Sequence, residues 1–254
     1  MTAGTLYGIG VGPGDPEWIT VKAVRILSTC RHVCVPKSDA AAESVALEIA
    51  RVYLRSDAVI HELAYPMTRE AGLLRRHWRQ AAGEVHAILG QGEDCCFLTL
   101  GDPLLYSTYI YLLRELVTLE PAVRVVTVPG ITAFSAAAAV ANRPVGESQQ
   151  LVTIVPASDD LGRFAAAVDR GGTVVLMKVG RRLHRALDVL ETRGLLDRAV
   201  FVSRAGMAGQ RVETAMRRLR QEREDAGYLS VLIVQADGQG QGTLCLPLAG
   251  EDPP

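Results

Sequence analysis

Short apolar runs that alternate with longer amphipathic stretches are the feature that most constrains how this chain can fold. In the first half the runs are LYGIGVG, HVCVP, DAVIHEL, CCFLTL and VRVVTVPG, and helical patterns separate them near residues 20–29, 43–54, 69–90 and 104–119. Runs that are apolar without alternation are typical of strands covered on both faces. The β-α-β-α order therefore predicts a mostly parallel sheet flanked by helices.

A second series of the same kind follows a polar break at residues 141–150. Its runs are LVTIVP, TVVLMKV, AVFVS and YLSVLIVQ, with helical patterns near 160–170, 181–193 and 213–223. We predict an α/β protein of two α/β domains, residues 1–130 and 131–254, each with a mostly parallel or mixed sheet, joined within 128–150. The stretch from Gln235 onward predicts one last edge strand.

Composition excludes several classes of protein. Hydrophobic residues make up 48% of the 254 positions, enough for one or two packed cores. A formal charge of −1 gives no electrostatic case for nucleic acid or an anionic membrane. No apolar run reaches membrane-spanning length, and MTAGTLYG lacks the layout of a secretion signal. Five cysteines without a ligand or disulfide pattern favour a reducing compartment, so we expect a cytoplasmic protein.

Glycine occupies every second position of YGIGVGPGD, residues 7–15. The stretch fails the G-x-G-x-x-G pattern because Pro13 or Asp15 falls on the last glycine position, and no Walker lysine follows. Pro13 has no N–H to donate, and Asp15 would repel a phosphate. The spacing instead predicts a type II turn with Gly14 third, then Asp15 as N-cap before Pro16. A plain structural turn and a bare backbone surface for a bulky flat ligand both remain open.

Small residues also follow other predicted strands, as in GDPLLYST, PGITAF, VGRR and RAGMAG. Ligands of open parallel sheets bind beyond the carboxyl ends of strands, and small residues let them approach the backbone closely. No Ser-His-Asp, Cys-His or metal-ligand arrangement stands out, because the histidines are scattered at His32, His61, His77, His86 and His184. The sequence thus predicts a ligand site at strand ends of both domains, without a metal.

Taken together and in this order, these segments resemble the tetrapyrrole methylases that use S-adenosylmethionine. The stretch LYGIGVGPGDPEWITVKAVRIL resembles the opening motif, LTLGDPLLYST the second, VPGITAFSAAAA the third, and LMKVG with SRAGMAGQ the later ones. TLGDPLLYSTYIYLL and VVLMKVGRRLHRALDVL are most similar to the branch that methylates C-20 of precorrin-2 or cobalt-factor II in cobalamin biosynthesis. The resemblance spans nearly the whole chain.

This resemblance implies the tetrapyrrole methylase fold, with a ligand trough between a tetrapyrrole-side first domain and a donor-side second domain. It implies a homodimeric C-methyltransferase with S-adenosylmethionine as methyl donor and a tetrapyrrole as substrate. The glycine-proline bend would border the macrocycle. Carried over motif by motif, the implied donor contacts are Gly101, Asp102, Leu105, Thr132, Ala133, Met177, Ala205, Gly206 and Ser230.

The implied substrate contacts are Pro13, Gly14, Asp15, Lys37 and Tyr106. A sulfonium methyl group is already activated, so positioning, which contributes about 7–11 kcal/mol, should outweigh a general base at about 3–5 kcal/mol. We therefore expect no indispensable base. The candidates to orient the ring or handle a proton are Tyr106, Asp15 and Lys37.

Several alternatives remain open on the sequence. The chain could be another tetrapyrrole methylase, such as uroporphyrinogen III C-methyltransferase, or diphthine synthase, which acts on a protein. More remote alternatives are a nicotinamide-dependent oxidoreductase and a non-catalytic binding protein. Within the C-20 branch, the macrocycle itself would hold any cobalt, so the residues do not distinguish precorrin-2 from cobalt-factor II. Ser107 stands where other branches often have glycine, and Trp18 where many relatives have a smaller aliphatic residue.

Overall fold

The structure, a computed structural model, describes residues 3–38, 44–68, 70–221 and 227–237. Two compact units divide the chain: unit 1 ends at Thr132, and unit 2 begins at Ala133. Both are built from strands and helices in alternation, so the predicted α/β class is confirmed. The last edge strand expected after Gln235 lies outside the described residues. Among the described helices, none is both long and apolar enough to cross a membrane.

Unit 1 is organised around a five-stranded sheet of order β3-β2-β4-β1-β5, in which every neighbouring pair is parallel. Its strands are β1 (Thr5–Gly10), β2 (His32–Lys37), β3 (Val59–Ala64), β4 (Cys95–Thr99) and β5 (Arg124–Val128). Its helices are α1 (Val21–Leu27), α2 (Val45–Ala50), α3 (Ala71–Gly90) and α4 (Tyr109–Leu119), with 3₁₀ turns at Pro16–Trp18 and Arg51–Tyr53.

The connections of unit 1 create a switch point between β1 and β4. Helices α3 and α4 pack against each other, and both belong to connections that cross the sheet toward β5. Helices α1 and α2 belong to connections that cross toward β3, and right-handed crossovers place them on the opposite face. The neighbouring strands β1 and β4 are thus followed by connections on opposite faces. Ligands of open α/β sheets bind outside the carboxyl ends of such a pair.

Unit 2 has a mixed five-stranded sheet of order β6-β7-β10-β8-β9. Strands β6 and β7 are parallel, whereas β10 runs antiparallel to β7 and β8, and β9 is antiparallel to β8. The strands are β6 (Val152–Pro156), β7 (Thr173–Met177), β8 (Ala199–Ser203), β9 (Arg211–Glu213) and β10 (Ser230–Gln235). The helices are α5 (Ala133–Val140), α6 (Gly162–Arg170), α7 (Leu183–Glu191) and α8 (Met216–Leu219), with 3₁₀ turns at Gly180–Arg182 and Leu196–Arg198.

The burial of the central strands explains why their sequences are continuously apolar. Every residue of β4, β7 and β8 is buried, as expected for strands covered on both faces. Helices α6, α7 and α8 share one hydrophobic cluster with these strands of unit 2. Strand β9 was not predicted, because three partly exposed residues carry no readable periodicity.

Candidate active site

The loops that follow β1, β4 and β5 meet through their backbones at the switch point of unit 1. Gly12 and Gly101 form an isolated bridge, with Gly12 N donating to Gly101 O (3.3 Å) and Gly101 N to Gly12 O (2.8 Å). A Cβ atom on Gly10 would stand 2.6 Å from Gly130 N and 2.7 Å from Gly101 O. No side chain fits at Gly10 or at Gly130, where a Cβ atom would stand 2.2 Å from Gly101 O. Gly12 and Gly101 instead have positive φ angles of 78° and 73°, which favour glycine.

The bridge also corrects the turn that the sequence predicted. The left-handed residue is Gly12, with a φ of 78°, and not Gly14, the third position of the expected type II turn. Pairing with Gly101 fixes the conformation of Gly12, so a contact distant in sequence replaces the local turn. The capping prediction is confirmed: Asp15 accepts a hydrogen bond from Glu17 N (2.8 Å), and Pro16 begins the 3₁₀ turn.

Asp102 ties two of these loops together with its carboxylate. Oδ1 accepts a hydrogen bond from Leu104 N (2.9 Å), and Oδ2 accepts one from Gly130 N (3.2 Å). The first bond closes a turn within the loop after β4, and the second crosses to the loop after β5. Leu105 continues this turn, its N–H donating to Asp102 O (3.4 Å). Both carboxylate oxygens of Asp102 are therefore engaged with backbone.

Tyr106 has an unusual backbone conformation at the same edge. Its φ is 53°, in the left-handed region that non-glycine residues rarely adopt, and 39% of the residue is exposed. Such a conformation costs on the order of 1–3 kcal/mol and persists only where the surroundings enforce it. The sequence predicted Tyr106 as a site residue but gave no sign of this conformation.

The remaining predicted substrate contacts lie at or after the ends of strands in unit 1. Lys37 is the last residue of β2, and its Nζ is 2.6 Å from Glu62 Oε2 on β3. The Lys37 side chain is 23% exposed and that of Glu62 is 54% exposed, so water screens this ion pair. Pro13 and Gly14 are buried, and Asp15 is half-buried. In this structure the ammonium group of Lys37 is thus already paired.

In unit 2 the predicted donor contacts lie near one another at the ends of the strands β7, β8 and β10. Because β10 is antiparallel, its first residue Ser230 pairs with Ser203 at the end of β8, and Val231 pairs with Met177 at the end of β7. Ala205 is buried, and the N–H of Gly206 donates to the Oε1 of Gln210 (2.8 Å) in the loop after β8. The antiparallel direction of β10, invisible in the sequence, brings these segments together.

The hydroxyl group of Ser230 is engaged inside unit 2. Its Oγ accepts a hydrogen bond from Gly180 N (3.0 Å) and donates one to Gly227 O (2.8 Å), and the residue is 2% exposed. Ser230 therefore holds the turn after β7 against the segment before β10. Thr132 and Ala133 are the last residue of unit 1 and the first residue of unit 2.

Two cationic residues outside the predicted site lie directly after strands of unit 2; Lys178 is one of the chain's three lysines, all of which lie near predicted strand–helix junctions, whereas nothing in the sequence distinguished Arg204. Lys178 follows β7 with a φ of 58°, and Arg204 follows β8 with a φ of 53°. The Lys178 ammonium lies 5.5 Å from the centre of the Tyr228 ring, a cation–π distance. The contact between Gly10 and Gly130 could not be predicted from the sequence, because it joins residues that come together only in the folded chain. Within the described ranges, no three His, Cys, Asp or Glu residues are grouped as metal ligands.

Comparison with proteins of known sequence gives three informative relatives. The cobalamin biosynthesis protein CobIJ of Mycobacterium bovis is 36% identical over 217 residues, covering 82% of this chain and 42% of that protein. The chain thus spans less than half the length of this relative. The cobalt-precorrin-2 C(20)-methyltransferase of Salmonella typhimurium is 32% identical, covering 91% of this chain and 96% of the relative. The precorrin-2 C(20)-methyltransferase of a Sinorhizobium species is 33% identical, covering 91% and 95%.

Among solved structures, the uroporphyrin-III C-methyl transferase of Thermus thermophilus, crystallised with S-adenosyl homocysteine, has a TM-score of 0.65 at 21% identity. The match covers 91% of this chain and 92% of that one, and it supports the fold alone. The family model described as Tetrapyrrole (Corrin/Porphyrin) Methylases matches residues 5–219. These residues include all of the loops that follow β1, β4, β5, β7 and β8, and the chain belongs to the tetrapyrrole methylases.

Proposed function

We propose that this protein is an S-adenosylmethionine-dependent C-methyltransferase that methylates C-20 of precorrin-2 or cobalt-factor II in cobalamin biosynthesis. The observation that carries this proposal is the 32% identity to a cobalt-precorrin-2 C(20)-methyltransferase across 91% of the chain and 96% of that relative. A second C(20)-methyltransferase at 33% identity supports the same position of methylation.

S-adenosylmethionine supplies the methyl group, which is transferred as its C–S bond breaks and a C–C bond to the macrocycle forms. The chain's own contribution is to hold the reacting carbon in line behind that methyl group. Precise placement accounts for about 7–11 kcal/mol in well-oriented reactions. The backbone bridge between Gly12 and Gly101 supports this role, because it fixes the loops after β1 and β4 to each other. The ring carbon loses a proton on product formation, and Tyr106, Asp15 and Lys37 remain our candidates to orient the ring or handle that proton.

The proposed donor contacts fall into two kinds. Asp102 and Ser230 use their side chains to hold backbone, so we propose that they shape the donor site through the loops they fix. The others offer mostly backbone and small or apolar surface. They are Gly101, Leu105 and Thr132 of unit 1, and Ala133, Met177, Ala205 and Gly206 of unit 2.

The proposed substrate contacts lie in unit 1. The buried Pro13 and Gly14 would contribute a flat backbone surface, and Asp15 is held beside them as a cap. Lys37 would give a carboxylate of the macrocycle a cationic partner in exchange for Glu62. Such an exchange between partly exposed groups is cheap, because exposed ion pairs contribute only about 0–1 kcal/mol.

We also propose that the protein is a homodimer and works in the cytoplasm. The resemblance to the family supports the dimer. The four described cysteines are free, which supports a reducing compartment. Light scattering on purified protein measures the mass in solution, and a monomer at micromolar concentration would contradict the dimer.

One experiment tests the proposed reaction. Purified protein is incubated with S-adenosylmethionine carrying a ¹³C-labelled methyl group and, separately, with precorrin-2, cobalt-factor II or uroporphyrinogen III. We expect one labelled methyl group at C-20 of one or both C-20 substrates, located by NMR, and none on uroporphyrinogen III. Label at another carbon, or turnover of uroporphyrinogen III alone, would identify a different methylase. Calorimetry with S-adenosylhomocysteine and with NAD tests the oxidoreductase alternative, which predicts binding of NAD.

A further inference from the structure

The left-handed backbone of Tyr106 lies in the short loop between β4 and α4. Tyr106 is 39% exposed there, beyond the carboxyl ends of β1 and β4, where ligands of open α/β sheets bind. Unusual backbone conformations of bulky residues concentrate at functional sites, since the rest of the structure must enforce them. A neighbouring group must therefore hold the backbone of Tyr106 in its left-handed conformation.

Ser107, the next residue, connects the strand before the loop to the helix after it. The residue is 8% exposed, and its Oγ donates to Thr99 Oγ1 (3.4 Å) and accepts a hydrogen bond from Tyr109 N (3.0 Å). Thr99 is the last residue of β4, and Tyr109 is the first residue of α4. Thr108, at the N-cap, makes no side-chain capping bond, and the Ser107 hydroxyl satisfies the N–H of the first helical residue, Tyr109.

The helix end that Ser107 holds is itself fixed to the sheet. Tyr109 is fully buried, and its ring packs on Gly8 of β1 so closely that a Cβ there would lie 2.3 Å from Cζ. The Tyr109 hydroxyl is 3.0 Å from Thr127 Oγ1 on β5. The loop is therefore anchored at both ends, and Ser107 joins the two anchors directly beside Tyr106.

We propose that Ser107 is a positioning residue that acts through Tyr106, holding its side chain in place to contact the tetrapyrrole substrate. This inference rests on the proposed function and adds a residue to it that carries no reacting atom. The hydroxyl of Ser107 fixes the distance between the end of β4 and the start of α4. Tyr106 is thereby held in its left-handed conformation before substrate arrives, so less ordering is needed on binding.

A double-mutant cycle tests the proposal. Ser107→Ala removes both hydrogen bonds, and we expect the KM for the tetrapyrrole to rise about tenfold while the Kd for S-adenosylhomocysteine changes less than about twofold. Tyr106→Gly removes the side chain while accepting the same φ, and should raise KM similarly. Adding Ser107→Ala to Tyr106→Gly should then change KM no further, because no side chain is left to position. Ser107→Thr, which keeps a hydroxyl group, should retain most activity.

Thr118→Ala is the matched control. Its hydroxyl donates to Arg114 O (2.8 Å) on the exposed side of the same helix, α4, and its loss should leave KM unchanged. If the role of Ser107 is purely structural, Ser107→Ala should cause the same loss of activity whether residue 106 is tyrosine or glycine. That result would overturn the proposal. An unchanged KM in Ser107→Ala would also overturn it. If Ser107→Ala does not fold, Tyr106→Gly decides: an unchanged KM refutes the proposal. Wild-type protein that methylates neither C-20 substrate refutes the proposed function instead, and this inference with it.

Discussion

Two glycine-to-alanine substitutions should change the stability of this protein in opposite directions. Gly8 lies in β1 beneath Tyr109, and a Cβ built on it would stand 2.3 Å from Cζ and 2.6 Å from the hydroxyl oxygen of that ring. Tyr109 is fully buried, so its ring has no room to move outward. Gly8→Ala must therefore displace the ring or the backbone of β1.

The size of the effect follows from these contacts. Forcing an extra carbon into a packed core costs about 1–3 kcal/mol. Displacing the ring also breaks the hydrogen bond between Tyr109 Oη and Thr127 Oγ1 (3.0 Å), whose net contribution is about 0.5–1.5 kcal/mol. We expect Gly8→Ala to lower the free energy of unfolding by about 2–4 kcal/mol.

Gly83→Ala is the matched substitution at an open position. Gly83 lies inside α3, is exposed, and a Cβ there would meet nothing within 4 Å. Alanine is favoured over glycine in a helix interior by about 0.5–1 kcal/mol, so the free energy of unfolding should rise by that amount. Urea denaturation followed by circular dichroism measures both variants under identical conditions.

A double variant tests whether the new Cβ of Gly8→Ala collides with the ring of Tyr109. Tyr109→Leu removes the ring atoms that the new Cβ would meet. The loss of unfolding free energy in the double variant Gly8→Ala, Tyr109→Leu should therefore be smaller than the sum of the losses in the two single variants by at least about 1 kcal/mol. Additive losses, or a Gly8→Ala variant as stable as wild type, would show that the ring and the strand are not in the contact described.

Three further predictions concern single side chains. Asp102→Ala removes the acceptor of two backbone N–H groups and should lower the free energy of unfolding by about 1–3 kcal/mol, and Asp102→Asn should lower it less; urea titration measures both. Tyr65→Phe removes a buried hydroxyl that has no hydrogen-bond partner among the described residues, so the melting temperature should stay constant or rise. Burial, and then the charge of His32, lowers the pKa of His61 below its ordinary 6.5, so the unfolded chain binds this proton more tightly. Stability should therefore fall as the pH drops below about 6.5, and His61→Gln should flatten that part of the denaturation profile.

Each of these three has an outcome that contradicts it. Equal stability of Asp102→Ala and wild type would mean that the two loops hold together without the carboxylate. A lower melting temperature for Tyr65→Phe would reveal a partner for the hydroxyl group. An unchanged pH profile in His61→Gln would assign the acid sensitivity to other groups.

The sequence predicted the fold class and most elements because their signals are local. Continuous apolar runs marked the buried strands β4, β7 and β8, and the long amphipathic pattern near 69–90 marked α3. Strand β9 was missed for lack of length. The second sheet is mixed because β10 and β9 run antiparallel to their neighbours, and the apolar run of β10 reads the same in either direction.

The candidate site was predicted as segments and not as contacts. Motif resemblance selected residues after the strands, and in each unit the structure brings strand ends together at one edge. The motif resemblance gave no indication that Lys37 pairs with Glu62, or that Ser230 forms hydrogen bonds with Gly180 and Gly227. These partners come from other strands and turns, so no spacing within a motif encodes them.

By itself, then, the sequence determined which segments form strands and helices, where the glycine-rich bends fall, and which family the motifs resemble. Only the tertiary structure decided that Gly12 and not Gly14 takes the left-handed conformation, since Gly101 pairs with it just beyond the ends of β1 and β4. It alone decided that Tyr106 is held with positive φ beside a buried Ser107. The physical reason in the first case is a pair of backbone hydrogen bonds between residues distant in sequence, which outweighs the local preference for a type II turn. In the second case it is the packing of a short loop between β4 and α4, whose ends the hydroxyl of Ser107 joins.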